Sequence, residues 1–313
     1  MIPDVPPPPP NAGMLSEHVP LAGRTTWRIG GLARWLATFQ NVDELASFWS
    51  RLSPETPRFI LGGGSNILIS DSGFHGVVLD MTHGLNQIHL QQPISDNPNG
   101  EAVLFAQAGA STRALAHKAR QLGLGGAEFL AGIPGSVGGA LVMNAGAHGG
   151  ELKDILIDAL VLDPSGERHI LTPTDLKMSY RHSALPTGWI FVSARFRLVP
   201  KDRERIRQTM QRHNHHRRLS QPLHLPSAGS TFKNPPHGPA AWKLIEDARM
   251  RGAAIGQARV SDKHCNFLVN MGQASATDMT ALIRKVQNAV LAHSGIKLHT
   301  EVGLLGPTGL EPF

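Results

Sequence analysis

The chain has 313 residues, long enough for two or three domains with cores of their own. Its 41% hydrophobic and 17% charged content excludes a disordered chain, and its one cysteine, Cys265, excludes a disulfide framework and a multi-cysteine metal site. A formal charge of +6 invites polyanions, but 5% aromatic residues and a single tyrosine leave no base-stacking platform; small anionic substrates such as nucleotides and carboxylates suit the charge better.

The chain begins MIPDVPPPPPNAG, with Asp4 and a proline run where a signal peptide would need an apolar stretch. Residues 1–19 are expected to be a disordered, polyproline-type tail. TTWRIGGLARWLATF predicts a turn and an extended stretch, and Leu45, Phe48, Trp49 and Leu52 recur at helical spacing in NVDELASFWSRL. RFILGGGSNILI predicts a strand, a glycine-rich turn and a second strand, and GVVLDM a further strand, giving a first α/β unit over 20–85. EAVLFAQAGA opens a second unit, 86–200, as a strand; STRALAHKARQLGL follows as a helix capped by Ser111 or Thr112 and stopped near Gly123. The longest uncharged run, Phe129 to Gly150, holds seven glycines, which excludes a membrane span. DILIDALVLDPSGERHILT predicts a hairpin about DPSG, TDLKMSYRHSALP a short helix and loop, and GWIFVSARFRLV a strand. KDRERIRQTMQRHNHHRR is expected to be a solvated connecting helix opening a third unit, 201–305. There the loop PSAGSTFKNP precedes a helix in AAWKLIEDARMRG, a strand NFLVN, a helix over 278–293 and a strand IKLHTEVGLLG, with 306–313 left as a tail.

Five stretches carry possible chemistry. Gly62, Gly63 and Gly64, followed by Ser65 and Asn66, let backbone N–H groups approach a phosphate, although a tight turn explains LGGGSN equally well. It matches neither the Rossmann fingerprint nor the Gly-Lys-Ser/Thr ending of a nucleoside-triphosphate loop. In AGIPGSVGGALVMNAGAHGG, Gly132, Gly135, Gly138 and Gly139 interleave with Ile133, Pro134 and Ser136 without any charge, giving the close approach that a pyrophosphate or a flavin ring needs. Arg181, after Tyr180, can fork onto a carboxylate or phosphate, or simply form a surface ion pair. Glu301 is expected in a strand, either buried with a partner or facing outward. Ser230, Lys233 and Asn234 stand on a loop stiffened by Pro226 and Pro235. Two clusters read as bland. His213, His215 and His216 lack the i, i+4 spacing of a zinc pair, and Cys265 beside His264 is expected to be a buried structural thiol on a strand.

In order, TTWRIGG, GGGSN, AGIPGSVGGALVMNAGA, YRHS, QPLHLPSAGSTFKNP, SDKHCNFLVN and the distal EV resemble the UDP-N-acetylenolpyruvoylglucosamine reductases, over residues 20 to 305. The resemblance implies an α+β fold: two α/β FAD-binding subdomains of vanillyl-alcohol-oxidase type (20–85 and 86–200) and a C-terminal α+β substrate domain. It implies non-covalent FAD against Gly62 to Asn66, Gly132 to Ser136, Gly138, Gly139, Asn144 and Ala145. It further implies NADPH as co-substrate and UDP-N-acetylglucosamine enolpyruvate as the molecule reduced, contacted by Tyr180, Lys233, Asn234 and His264. Ser230 would protonate the α-carbon while Arg181 and Glu301 stabilise the enolic intermediate. A cytoplasmic monomer with no metal, nucleic acid or membrane insertion is expected. The chain resembles the family's shorter type, without the tyrosine-bearing insertion, and carries Thr25-Thr26 where many members have an asparagine before the threonine. Two other classes remain: another flavin oxidase on the same fold, which should lack GSTFKNP with a distal EV, and a nucleic-acid binder acting through the 201–218 helix.

Overall fold

The computed structural model describes residues 14–93 and 100–313, so the proline run of the expected tail lies outside the described residues. The first unit runs β1 (Met14–Pro20), β2 (Leu32–Thr38), α1 (Val42–Arg51), β3 (Arg58–Leu61), β4 (Ile67–Ile69) and β5 (Phe74–Asp80). Its sheet has the order β1-β2-β5-β3, with β2, β5 and β3 parallel and β1 antiparallel on the edge. The expected tail is thereby corrected: residues 14–19 pair with β2, from Met14 opposite Thr38 onward. Nearly all of β1 is exposed, with only Val19 packing on a core cluster, so main-chain pairing chiefly holds it and no apolar alternation announces it. Helix α1 forms as its spacing predicts; Asn41 caps it by accepting from Glu44 N, and Leu45, Phe48 and Trp49 are buried.

The second unit contains β6 (Ile88–Gln92), β7 (Ala102–Gln107), α2 (Thr112–Leu122), β8 (Leu124–Gly125), α3 (Val137–Val142), β9 (Gly146–Ala147), β10 (Gly150–Glu151), β11 (Leu156–Leu162), β12 (Arg168–Leu171) and β13 (Ile190–Pro200). An antiparallel sheet of order β12-β11-β13-β7-β6 forms its body, with β8 added beside β13. Ser111 caps α2 and left-handed Gly123 ends it, as the sequence predicts. Residues 174–186 hold no helix. The Asp175 carboxylate accepts from Thr172 N and Oγ1 to close one turn, which Lys177, at φ 44, stops.

Helix α4 (Arg203–Ser220) departs from the solvated connector expected of it. Ile206 and Met210 are buried in the core of the second unit, Lys201 just before the helix pairs with Glu128 at 2.8 Å, and His213 stacks on His148 with ring centroids 3.9 Å apart. It therefore packs with residues 86–200, and the third unit starts after it. That unit comprises β14 (Ser227–Ser230), α5 (Ala241–Asp247), β15 (Ala254–Ile255), β16 (Ala258–Val260), β17 (Phe267–Asn270), α6 (Ala276–Ser294), β18 (Gly303–Leu305) and β19 (Leu310–Glu311). Its sheet, β14-β17-β16-β15, shares a core with α5 and α6 built on Leu244, Ile245, Met279, Ile283 and Val286.

The first and third units are joined at several points. Strand β4 leaves β3 and pairs in parallel with β18, so the GGGSN turn crosses from one sheet to another. Trp27 Nε1 donates to Leu268 O at 2.8 Å, and Asn270 Nδ2 donates to Trp27 O at 3.0 Å. Asp71 accepts from Ala276 N and Thr277 N at the start of α6, and these N–H groups hold its carboxyl below the usual range even though burial opposes them. The expected C-terminal tail also takes part, since Leu310 pairs with Leu305.

Candidate active site

The two glycine blocks, 70 residues apart in sequence, meet backbone to backbone. A Cβ on Gly63 would stand 2.6 Å from Gly135 Cα, and one on Gly135 would stand 2.6 Å from Ser65 Oγ. Ser65 Oγ donates to Pro134 O at 3.1 Å, locking the blocks together. The second block is tied in turn to the start of α2: Thr112 N donates to Gly135 O, Thr112 Oγ1 to Ile133 O, and Val137 N to Ala110 O. Ser136 caps α3 by accepting from Gly139 N at 3.3 Å. Between the blocks and the α2 N-terminus lies a cleft of ≈ 490 Å³, lined by Gly63, Ala110, Ser111, Gly135 and Ser136 among others. No acidic residue stands in the first turn of α2, whose N–H groups there favour an anion. A cradle that any Cβ would fill, beside a helix N-terminus, fits the pyrophosphate of a dinucleotide.

The candidate reacting residues lie where the 226–235 loop passes the chain around 299–301. Lys233 N donates to His299 O, Glu301 N donates to Thr231 O at 2.8 Å, and Phe232 bridges Thr300. Ser230, at the end of β14, is half-buried, and among the described residues its hydroxyl has no hydrogen-bond partner. Glu301 lies in a bend before β18 rather than in a strand, and it faces inward. Arg181 Nε donates to Glu301 Oε1 at 2.8 Å, with the two side chains 20% and 16% exposed. Burial pushes the Glu301 carboxyl up, while the charges of Arg181 and Lys233 pull it back. Arg181 takes a left-handed backbone (φ 52), donates from Nη2 to Gly146 O at 3.2 Å, and lies over the Tyr180 ring at 5.0 Å. Glu301 thus does not face outward, and Arg181 forms its ion pair with a largely buried partner rather than on the open surface.

Known proteins resemble this chain in sequence and fold. Residues 33–172 match the FAD binding domain model, and residues 221–305 match the model for the C-terminal domain of UDP-N-acetylenolpyruvoylglucosamine reductase. The UDP-N-acetylenolpyruvoylglucosamine reductase of Magnetococcus marinus is 51% identical over 295 residues, 94% of this chain and 93% of its own. That of Agathobacter rectalis is 44% identical over 95% of each chain. The crystal structure of the Thermus caldophilus reductase is similar at a TM-score of 0.75 and 34% identity, covering 93% of this chain and 98% of that one. The chain belongs to the UDP-N-acetylenolpyruvoylglucosamine reductase family. The C-terminal match begins at 221, immediately past α4, in keeping with the packing of that helix against the second unit.

Several residues that resemblance to the reductases assigns to ligands are engaged inside the protein. Asn144 is fully buried: Nδ2 donates to Glu151 Oε2 and Ser179 O, and Oδ1 accepts from Lys153 N. Its side chain fixes the 146–151 hairpin against the segment that carries Arg181. Ala145 pairs through its backbone with Ala140 and Leu152. Asn234 Oδ1 accepts from Ala241 N at 3.0 Å and so holds the start of α5. Asn66 is joined to the Glu301 backbone, since Nδ2 donates to Glu301 O at 3.1 Å. Gly64 is left-handed (φ +59) and packs on Arg24 O, while Gly132 lies under the Arg217 stem. Gly62 packs on Ser136, Gly138 on Ala108, and Gly139 sits in α3. His264 stacks edge-on against Phe267 at 4.8 Å and accepts from Asn266 N through Nδ1; burial pushes its imidazole down, keeping it neutral. His264 and Cys265 lie in a turn before β17, not on a strand, and burial pushes the Cys265 thiol up, which makes it unreactive.

Proposed function

We propose that the chain reduces UDP-N-acetylglucosamine enolpyruvate to UDP-N-acetylmuramate with NADPH, Ser230 delivering the proton. The family's FAD-containing oxidoreductase activity in peptidoglycan precursor synthesis is the chain's own. The observation that carries the reading is the meeting of Arg181 and Glu301 beside the Ser230 loop. FAD bound in the glycine cradle would take a hydride from NADPH and supply it to the methylene carbon of the enolpyruvyl group.

The chain's own residues handle the charge and the proton. Negative charge builds on the α-carbon and its carboxylate. The Arg181 guanidinium, fixed by Glu301 and Gly146 O, offers its remaining N–H groups to that charge. The Ser230 hydroxyl gives its proton to the α-carbon; the carbanion-like centre is a strong enough base to take it, and the nearby Lys233 ammonium favours the alkoxide left behind. The Glu301 carboxylate, its charge favoured by Arg181 against the burial that pushes its carboxyl up, holds the guanidinium on the enolic form and accepts a hydrogen bond from its O–H. Tyr180 and Lys233 face the same region as binding groups. Both halves of the site come from one chain, which supports a monomer as the active unit, and nucleotide substrates support a cytoplasmic reaction.

Stopped-flow spectroscopy of each half-reaction tests the assignment. With Ser230→Ala, bleaching of the flavin by NADPH should proceed as in the parent, while reoxidation by the enolpyruvyl substrate should slow by about 10²–10⁴-fold. Reoxidation at the parent rate would remove Ser230 as the proton donor.

A further inference from the structure

The strand that presents Ser230 is anchored by buried Ala228 and by pairing of Ser227 with Val269 and Ser230 with Phe267, but its ladder is interrupted just before Ser230. Gly229 is left-handed (φ +76) with nothing within 4 Å of a Cβ, and the pairing of β14 with β17 is irregular between Ser227 and Ser230. Immediately downstream, one buried residue takes hold of the chain. Asn266, 4% exposed, accepts from Phe232 N through Oδ1 and donates to Phe232 O through Nδ2, each at 2.9 Å. Its main-chain carbonyl accepts from Thr231 N at 2.8 Å. Thr231 and Phe232 are themselves buried, and Thr231 O receives the N–H of Glu301. The two residues gripped by Asn266 therefore lie between the Ser230 hydroxyl and the Glu301 backbone.

We propose that Asn266 is a positioning residue for proton delivery, clamping Phe232 so that the Ser230 hydroxyl keeps its place relative to Glu301 and Arg181. The proposal rests on Ser230 being the proton donor. The clamp needs one acceptor and one donor at the two ends of a short planar group, which an asparagine side chain supplies and an aspartate cannot. In Asn266→Asp a carboxylate oxygen would face Phe232 O in a buried site, opposing rather than closing the grip. Ser230 would then keep its chemistry and lose its aim, and a displacement of about 1 Å is enough for about a 10²-fold loss in a positioned reaction.

The test uses the FAD-loaded enzyme carrying Asn266→Ala and, since it keeps the volume and the Phe232 N–H acceptor, Asn266→Asp as the variant better able to fold. The expected result is unchanged flavin content and unchanged reduction by NADPH, with reoxidation by substrate slowed about 10–100-fold. Reoxidation should also show a larger solvent deuterium isotope effect, because proton transfer has become limiting. The double variant Ser230→Ala/Asn266→Ala should reoxidise no more slowly than Ser230→Ala alone, since a group that acts only through Ser230 has nothing left to position. Equal slowing of both half-reactions, or additive losses in the double variant, would overturn the positioning role while leaving Ser230 as the acid. A Ser230→Ala enzyme that reoxidises at the parent rate would overturn both assignments together.

Discussion

Gly63→Ala is the most direct probe of the glycine cradle. A methyl on Gly63 would lie 2.6 Å from Gly135 Cα, 3.0 Å from its carbonyl carbon and 3.2 Å from Ser136 N. Carbon atoms at rest sit about 3.5–4.0 Å apart, so the two blocks must part by about 1 Å. Gly135 cannot simply retreat, because Thr112 N holds its carbonyl and Ser65 holds that of Pro134. One methyl forced into a filled contact costs about 1–3 kcal/mol. The displaced groups line the cleft, so flavin binding should weaken by about 5–150-fold, at about 1.4 kcal/mol for each factor of ten. Titration of the apoprotein with FAD, followed by quenching of flavin fluorescence, reads the dissociation constant; apoprotein melting reads the structural cost. Gly139→Ala is the internal contrast. Its methyl would meet Ser136 Oγ at an ordinary 3.6 Å, and it lies within helix α3, where alanine gains about 0.5–1 kcal/mol over glycine. Apoprotein melting should fall for Gly63→Ala and hold or rise for Gly139→Ala. Parent FAD affinity in Gly63→Ala would refute the cradle, and equal losses of melting temperature in both variants would refute the contact argument.

Arg181→Ala should lower kcat more than it raises KM, and should move the acid limb of the kcat profile upward because the buried Glu301 loses the neighbour that most favours its charged form. A rise in KM alone, measured by steady-state kinetics from pH 5 to 9, would make Arg181 a binding group only. Burial lowers the pKa of His213 and of its stacking partner His148, with Arg212, Arg217 and His216 adding repulsion and Glu128 opposing it. Their folded pKa lies below the unfolded value of about 6.5, so the unfolded chain binds more protons and stability is lost on acidification below that pH. The melting temperature of the parent should therefore fall more steeply from pH 7 to pH 5 than that of His213→Gln, and parallel slopes would refute the role of the stack.

How much of this was legible in the sequence depends on whether a contact leaves a local pattern. Helices α1 and α2 were legible because Leu45, Phe48 and Trp49 repeat at one helical face and because Ser111 and Gly123 supply a start and a stop. Strand β1 was not, since an exposed edge strand is held by main-chain groups that every residue carries. Helix α4 was misjudged because pattern reading counts its histidines and arginines as polar. Here the His213 ring packs on His148, and the Arg217 stem covers Gly132. The pairing of Arg181 with Glu301 spans 120 residues, beyond any motif spacing, and either residue alone reads as surface charge. Only the ordered resemblance to the reductases connected them.

The asparagines show why even a specific motif does not by itself mark ligand contacts. Asn144, Asn234 and Asn266 all stand in stretches that carry the family resemblance, and the fold uses each of them on its own backbone. An asparagine side chain has two donors and one carbonyl acceptor. Asn144 spends both N–H groups on Glu151 and Ser179 and its oxygen on Lys153 N, while Asn266 spends one N–H and its oxygen on the two ends of Phe232. Arg181 differs, because a guanidinium carries five N–H donors and, among the described residues, only Nε and Nη2 are engaged. Ser230 differs too, since its hydroxyl has no partner among the described residues. A reacting group must keep donor capacity for a transition state, whereas a positioning group directs its hydrogen bonds at the fold. By that criterion Arg181 and Ser230 fall on the side of chemistry and Asn144 and Asn266 on the side of scaffolding, a division set by hydrogen-bond partners far apart in the chain.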